Sequence, residues 1–180
     1  MNFGKRHKKV KYHPNVKQLP AETREKWELY NKGGSTSDIE LTEWAHANIP
    51  NFKGVVARED FDVLYPYGEP MEPGTSCIIN LDYGDYARGG THWCAVRVSS
   101  ETPRVLYFDP FGIPPPSDVM IRSFKDHRGV FYPDIQYQEA DQTNCGQRCL
   151  AALYYLNEEA SKNEETSAFD QLGLDELNSL

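Results

Sequence analysis

The stretch "HWCAVRVSSETPRVLYFDPF" (residues 92–111) decides the fold. Its two apolar runs, "HWCAVRV" (92–98) and "RVLYFDPF" (104–111), are rich in β-branched and aromatic residues, and "SSETPR" between them has turn chemistry. The pair reads as an antiparallel hairpin, halted by Pro110 and the following "GIPPP". His92 opens the first strand and Asp109 closes the second. Antiparallel pairing therefore brings both to the same end of the sheet.

Working outward, "CIINLDY" (77–83) reads as a buried strand and "GDYARGG" (84–90) as a turn. Upstream, "STSDIELTEWAHANI" (35–49) starts a helix. Ser37 with Glu40 three residues on is a capping box, and Leu41, Trp44 and Ala45 share a face. "NFKGVVARED" (51–60) and the Pro/Gly-rich 65–75 read as loop. Downstream, Ser117 caps a predicted helix over 118–127, with Val119, Ile121 and Phe124 partly buried. "DIQYQ" (134–138) reads as a short strand. Cys145, Cys149, Ala152, Leu153 and Leu156 fall on one face of a helix. Beyond Asn157 the chain turns acidic and Ser-rich, and fraying is expected. The fold class is α+β: a central mixed sheet of about four to five strands flanked by helices.

At 180 residues the chain is long enough for one globular domain. Its charge is unevenly spread. Residues 1–26 carry +6, residues 157–180 carry −6, and the middle carries −8. The basic arm suits nucleic acid, but the acidic domain disfavours a large phosphate-binding face, and such charged ends more often read as solvated tails. No run approaches the roughly 18 apolar residues of a membrane span, and no signal-peptide segment opens the sequence. Cys77, Cys94, Cys145 and Cys149 therefore read as intracellular thiols. Only Cys145 and Cys149 are close, spaced C-x3-C with no second pair, so a zinc site or a small zinc-binding module is only weakly signalled and no metal ligand is assigned.

Cys145, in "TNCGQRC" (143–149), stands where a helical pattern begins. A thiol of ordinary pKa, about 8.5, is mostly protonated at neutral pH. A helix N-terminus favours the thiolate, and a neighbouring imidazole completes the activation. Gly146 has no side chain, so a substrate backbone could come close. Of five histidines, His7 and His13 lie in the arm, His46 on the first helix and His127 in a charged loop. His92, beside a Gly-rich turn at a strand start, is the candidate base. Asp109 is the candidate group to fix its tautomer. An acyl transfer also needs oxyanion donors. The backbone N–H of Cys145 is one candidate. Gln136, Gln138, Gln142 and Asn144 compete for the other place, and a glutamine at a strand end is better fixed than one in a loop, which favours Gln138.

"GTHWCAV", "YFDPFGIPPP" and "YQEADQTNCGQRC", in that order, resemble the adenovirus-type maturation proteases (adenain), relatives of the SUMO-deconjugating cysteine proteases found in large DNA viruses, virophages and mobile elements. The resemblance covers roughly residues 38–156. It implies that fold, with His92 as general base, Asp109 as its orienter, Cys145 as nucleophile and Gln138 as oxyanion donor; the family's Gln-to-Cys spacing again selects Gln138. Trp93 would line the site. By charge and composition the chain divides into a basic N-terminal arm (1–36), a cysteine protease domain (37–157) that the resemblance covers, and an acidic tail (158–180) expected to be mobile. The implied activity is a thiol endopeptidase that processes capsid or core precursor proteins in the virion and infected cell, as a monomer away from membranes. Alternatives are a protease acting on ubiquitin-like tails and an inactive binding protein of the same fold. A peptide or DNA activator would follow from the family alone, since no residue here specifies one, and no cofactor is expected. DNA would meet the basic arm. Gly33-Gly34 is a candidate self-processing site, because such proteases accept glycine beside the scissile bond. The family lacks a counterpart of this arm, and adenain continues where this chain becomes acidic.

Overall fold

A computed structural model describes residues 35–81, 92–126, 128–133, 136–138, 142–172 and 174–177. The arm through Gly33-Gly34, the "GDYARGG" turn, His127 and the start of "DIQYQ" lie outside the described residues. The chain is α+β, with one mixed six-stranded sheet in which the strands follow sequence order.

Helix α1 (Asp38–Asn48) begins at the expected capping box. Ser37 Oγ accepts from Glu40 N at 3.2 Å, and Glu40 Oε2 accepts from Ser37 N at 2.8 Å. Strand β1 (Phe52–Ala57) follows, then a 3-10 turn (Arg58–Asp60) and the one-turn helix α2 (Phe61–Leu64). This corrects the loop expected over 51–60. The strand is an edge with only Phe52 buried, so it has no apolar alternation. Its register also shifts between Phe52 and Gly54, where Gly54 takes a φ of 148° that a side chain would resist.

Strands β2 (Ser76–Asn80), β3 (Trp93–Val98) and β4 (Arg104–Phe108) form the centre. β1 and β2 are parallel, β2–β3 and β3–β4 antiparallel. All six β3 residues are buried, because both faces of the sheet are covered. Alternate residues go to opposite sides. Trp93 and Ala95 join Ile78, Leu106 and Phe108 under α1, α4 (Cys145–Ser161) and α5 (Glu165–Leu172). Cys94, Val96 and Val98 join Cys77, Ile79, Val105 and Tyr107 on the other face, with Phe61 of α2 and Val119 of α3 (Ser117–Lys125).

Three further expectations need correction. Ser117 is the first residue of α3 and makes no side-chain cap, since Pro116 holds the cap position; Ile121 is exposed. The strand expected at 134–138 does not form at its described residues, 136–138; a strand not expected from the sequence, β5 (Gly129–Pro133), runs parallel to β4. Tyr137 N and Gln138 N instead donate to Pro110 O, at 2.8 and 3.0 Å, so this segment crosses over the end of β4 rather than extending the sheet. Finally, the described part of the acidic stretch, residues 157–172 and 174–177, forms regular structure in place of the expected fraying. Helix α4 runs on to Ser161, α5 buries Ala168, Phe169 and Leu172, and β6 (Leu174–Leu177) pairs antiparallel with β5. Buried Glu165 anchors α5: its carboxylate takes Arg97 Nε at 2.5 Å, Ser99 Oγ at 3.0 Å and Ser100 N at 2.9 Å. Charge in the sequence concealed an apolar face and a buried ion pair. Among the described residues no helix is long and apolar enough to cross a membrane.

Candidate active site

The register of the central hairpin pairs Ala95 with Phe108, which carries the start of β3 to the end of β4. There His92 Nε2 donates to Asp109 Oδ1 at 2.8 Å. Asp109 is fully buried. The same oxygen accepts from Phe111 N at 2.8 Å, and Gly112 N donates to Asp109 O at 2.9 Å. The Asp-Pro-Phe-Gly turn thus holds its own carboxylate in place. Phe111 stacks on the imidazole, with centroids 5.0 Å apart and planes at 29°. The sequence reading missed Phe111 as a site residue; the turn motif itself was its signal.

Asp109 occupies Nε2, which leaves Nδ1 as the ring nitrogen for other partners. The imidazole also hydrogen-bonds the Cys145 thiol. Burial alone would depress the His92 pKa. The bonds to Asp109 and Cys145, with the negative charge of both groups, outweigh it and raise the pKa to about 10. The imidazolium is therefore the favoured form at neutral pH. Cys145 is the first residue of α4, and Asn144 before it makes no side-chain cap. Helix α4 is held to β3 by Cys149, whose Sγ donates to Trp93 O at 3.2 Å. Cys149 is buried and its thiol pKa is pushed up by burial, then by the charges of Cys145 and Asp109. It packs rather than reacts, as its place one turn behind Cys145 suggested.

Gln138 is buried, and its backbone bond to Pro110 O places it beside the Asp109 turn. Its Nε2 donates one hydrogen to Gln142 O at 2.5 Å, and its Oε1 is buried without a partner. The other competitors are engaged differently. Gln136 Nε2 donates to Gln138 O at 2.6 Å, while Gln142 Oε1 and Asn144 Oδ1 both accept from Arg148. Trp93 is buried and lines a cavity of about 330 Å³ with Thr36, Val55, Val56 and Asn80. Its Nε1 is also unpartnered, as is Asp109 Oδ2. Orphaned buried polar atoms are uncommon and gather where a protein binds or reacts.

The reading of Gly146 needs correction. A Cβ there would lie 2.3 Å from Thr36 Oγ1, 2.9 Å from Leu41 Cδ2 and 3.2 Å from Trp93 Cδ1. On that side of the helix the protein's own chain packs against the glycine. Gly146 serves the close packing of α4 against α1 and β3.

His92, Cys94 and Asp109 bring three donor atoms within 4.8 Å, a spacing a metal could use. The His92–Asp109 separation, however, is that of a hydrogen bond. Burial, then the charges of Asp109 and Cys149, holds the Cys94 thiol well above its ordinary pKa, which opposes the thiolate a metal needs. Elsewhere, His46 packs edge-on against Phe52, away from these groups. Searches against family models, curated proteins and solved structures return no match to the chain.

Proposed function

We propose that the chain is a cysteine endopeptidase that processes capsid or core precursor proteins during virion maturation. The observation that carries the chemistry is the Cys145–His92–Asp109 series: a thiol at a helix start, bonded to an imidazole whose far nitrogen is held by a buried carboxylate. The substrate class rests on the sequence resemblance to adenain-like proteases.

In this reading the Cys145 sulfur attacks the scissile carbonyl carbon, and the C=O electron pair moves onto oxygen. The Cys145 backbone N–H and the second hydrogen of Gln138 Nε2 meet that oxyanion. As the C–N bond breaks, the His92 imidazolium gives its proton to the leaving amine. His92 then takes a proton from a water that attacks the thioester carbonyl, and breaking the C–S bond releases the sulfur and restores the imidazolium beside it. Asp109 keeps the ring in one orientation and stabilises its charged form. No cofactor takes part. In this reading any DNA contact falls to the basic arm, and the protein acts as a monomer in the virion and infected cell.

Co-expression with capsid precursors tests this reading, comparing the native chain with Cys145→Ala. Fragments must appear with the first and not with the second. Identical patterns would sink the proposal. Parallel incubation with ubiquitin-like precursors separates capsid processing from deconjugation.

A further inference from the structure

We infer that Arg148 is a positioning residue, which holds the oxyanion donor Gln138 in register with the nucleophile. The inference rests on the proposed cysteine-protease chemistry and extends it to a residue outside the Cys-His-Asp set.

Arg148 lies in the first turn of α4, three residues after Cys145, and is 4% exposed. A buried guanidinium needs partners to offset its desolvation. Two of them lie on the segment leading into the helix. Arg148 Nε donates to Asn144 Oδ1 at 3.0 Å, and a terminal nitrogen donates to Gln142 Oε1 at 3.0 Å. Both of these acceptors are neutral amides. Gln142 then passes the constraint on, because its backbone carbonyl accepts from Gln138 Nε2 at 2.5 Å.

That last bond orients the Gln138 amide. With one Nε2 hydrogen on Gln142 O, the nitrogen is the end of the amide fixed in this direction, and its second hydrogen remains to donate. Without the tie, the amide could rotate and offer its oxygen to an oxyanion, which would repel it. Arg148 also belongs to the helix that begins at Cys145. One side chain thus links the element carrying the nucleophile to the loop that aims the donor. Displacing a catalytic group by about 1 Å can cost on the order of 10²-fold in rate.

The test separates oxyanion stabilisation from thiol reactivity. An acetylated tetrapeptide ending in glycinal forms a hemithioacetal with Cys145: a new S–C bond, and a former carbonyl oxygen held by the donors. Iodoacetamide alkylates the same sulfur by displacing iodide and creates no oxyanion. For Arg148→Met we expect aldehyde affinity and kcat on a fluorogenic glycyl peptide to fall about 10- to 100-fold, with KM nearly constant. The Cys145 alkylation rate should stay within about twofold of native, since the thiol–imidazole pair is untouched. Arg148→Lys keeps the charge without the fork and should fall between native and Met.

Native aldehyde affinity in Arg148→Met would overturn the assignment. So would a parallel loss of affinity and alkylation in both variants, which marks a general collapse of the site. If the unmodified protein alkylates at Cys145 but neither binds the aldehyde nor cleaves peptides, the protease reading itself falls, and this assignment with it.

Discussion

His92 Nε2 donates to a fully buried Asp109 carboxylate oxygen at 2.8 Å, although 17 residues separate the two. The hairpin of β3 and β4 brings them together, and the Asp109 turn keeps the oxygen fixed through Phe111 N. Removing the charge while keeping the shape, as in Asp109→Asn, should lower kcat/KM by about 10²-fold or more. Activity within threefold of native would show that the carboxylate does not serve the imidazole.

The same pair makes stability pH-dependent. The folded His92 pKa, raised to about 10, lies above its ordinary value of 6.5. The folded state therefore binds the proton more tightly than the unfolded state does. This stabilisation is fully present below about pH 6.5 and is lost as pH rises through about 10. Urea titrations at intervals from pH 6 to 10 should show the advantage of the native chain over His92→Gln shrinking across that window. A constant difference would contradict the raised pKa.

Thiol chemistry should be selective. Burial pushes the Cys77 thiol pKa strongly up, and it does the same for Cys94 and Cys149, aided by nearby negative charge. Iodoacetamide on the native protein should give one adduct, at Cys145, located by peptide mass mapping. The other three should react only in denaturant. Equal labelling of any of them in the native state would remove the case for Cys145 as the activated thiol.

Gly146→Ala is expected to destabilise the fold by about 1–3 kcal/mol, through overpacking between α4, Thr36 and Leu41. Thr36 Oγ1 is the nearest obstacle and is itself buried without a partner. The double variant Thr36→Ala/Gly146→Ala should therefore recover part of the loss, a non-additivity visible in chemical denaturation. Purely additive effects would place the strain elsewhere.

At the other end of β3, Arg97 and Glu165 form a buried ion pair, each no more than 1% exposed. Glu165→Ala leaves the guanidinium unpaired and should cost about 3–5 kcal/mol. Replacing both residues with apolar side chains should be far milder. A loss below about 0.5 kcal/mol for Glu165→Ala would mean that α5 is not anchored by this pair.

The sequence by itself determined the central hairpin, the capped first helix and the helix opening at Cys145, because each is encoded by local rules: apolar β-branched and aromatic runs split by a turn, a Ser-x-x-Glu cap and a three-to-four-residue apolar face. It also named His92, Asp109 and Cys145 as candidates, since their places at strand and helix ends follow from those elements; the strand end that favours Gln138 is one that residues 136–138 do not form. Only the tertiary structure decided what depends on contacts distant in the chain. β1 is held by its pairing with β2 rather than by its own half-exposed residues. Helix α5 in the acidic stretch is docked because Glu165 finds Arg97, 68 residues away, and because its apolar face meets the core. Gly146 is small for Thr36 and Trp93, not for a ligand. Arg148 reads as a surface charge until the fold buries it against Gln142 and Asn144. Local propensity fixes where elements begin; burial and pairing, which need the whole chain assembled, decide what their side chains do.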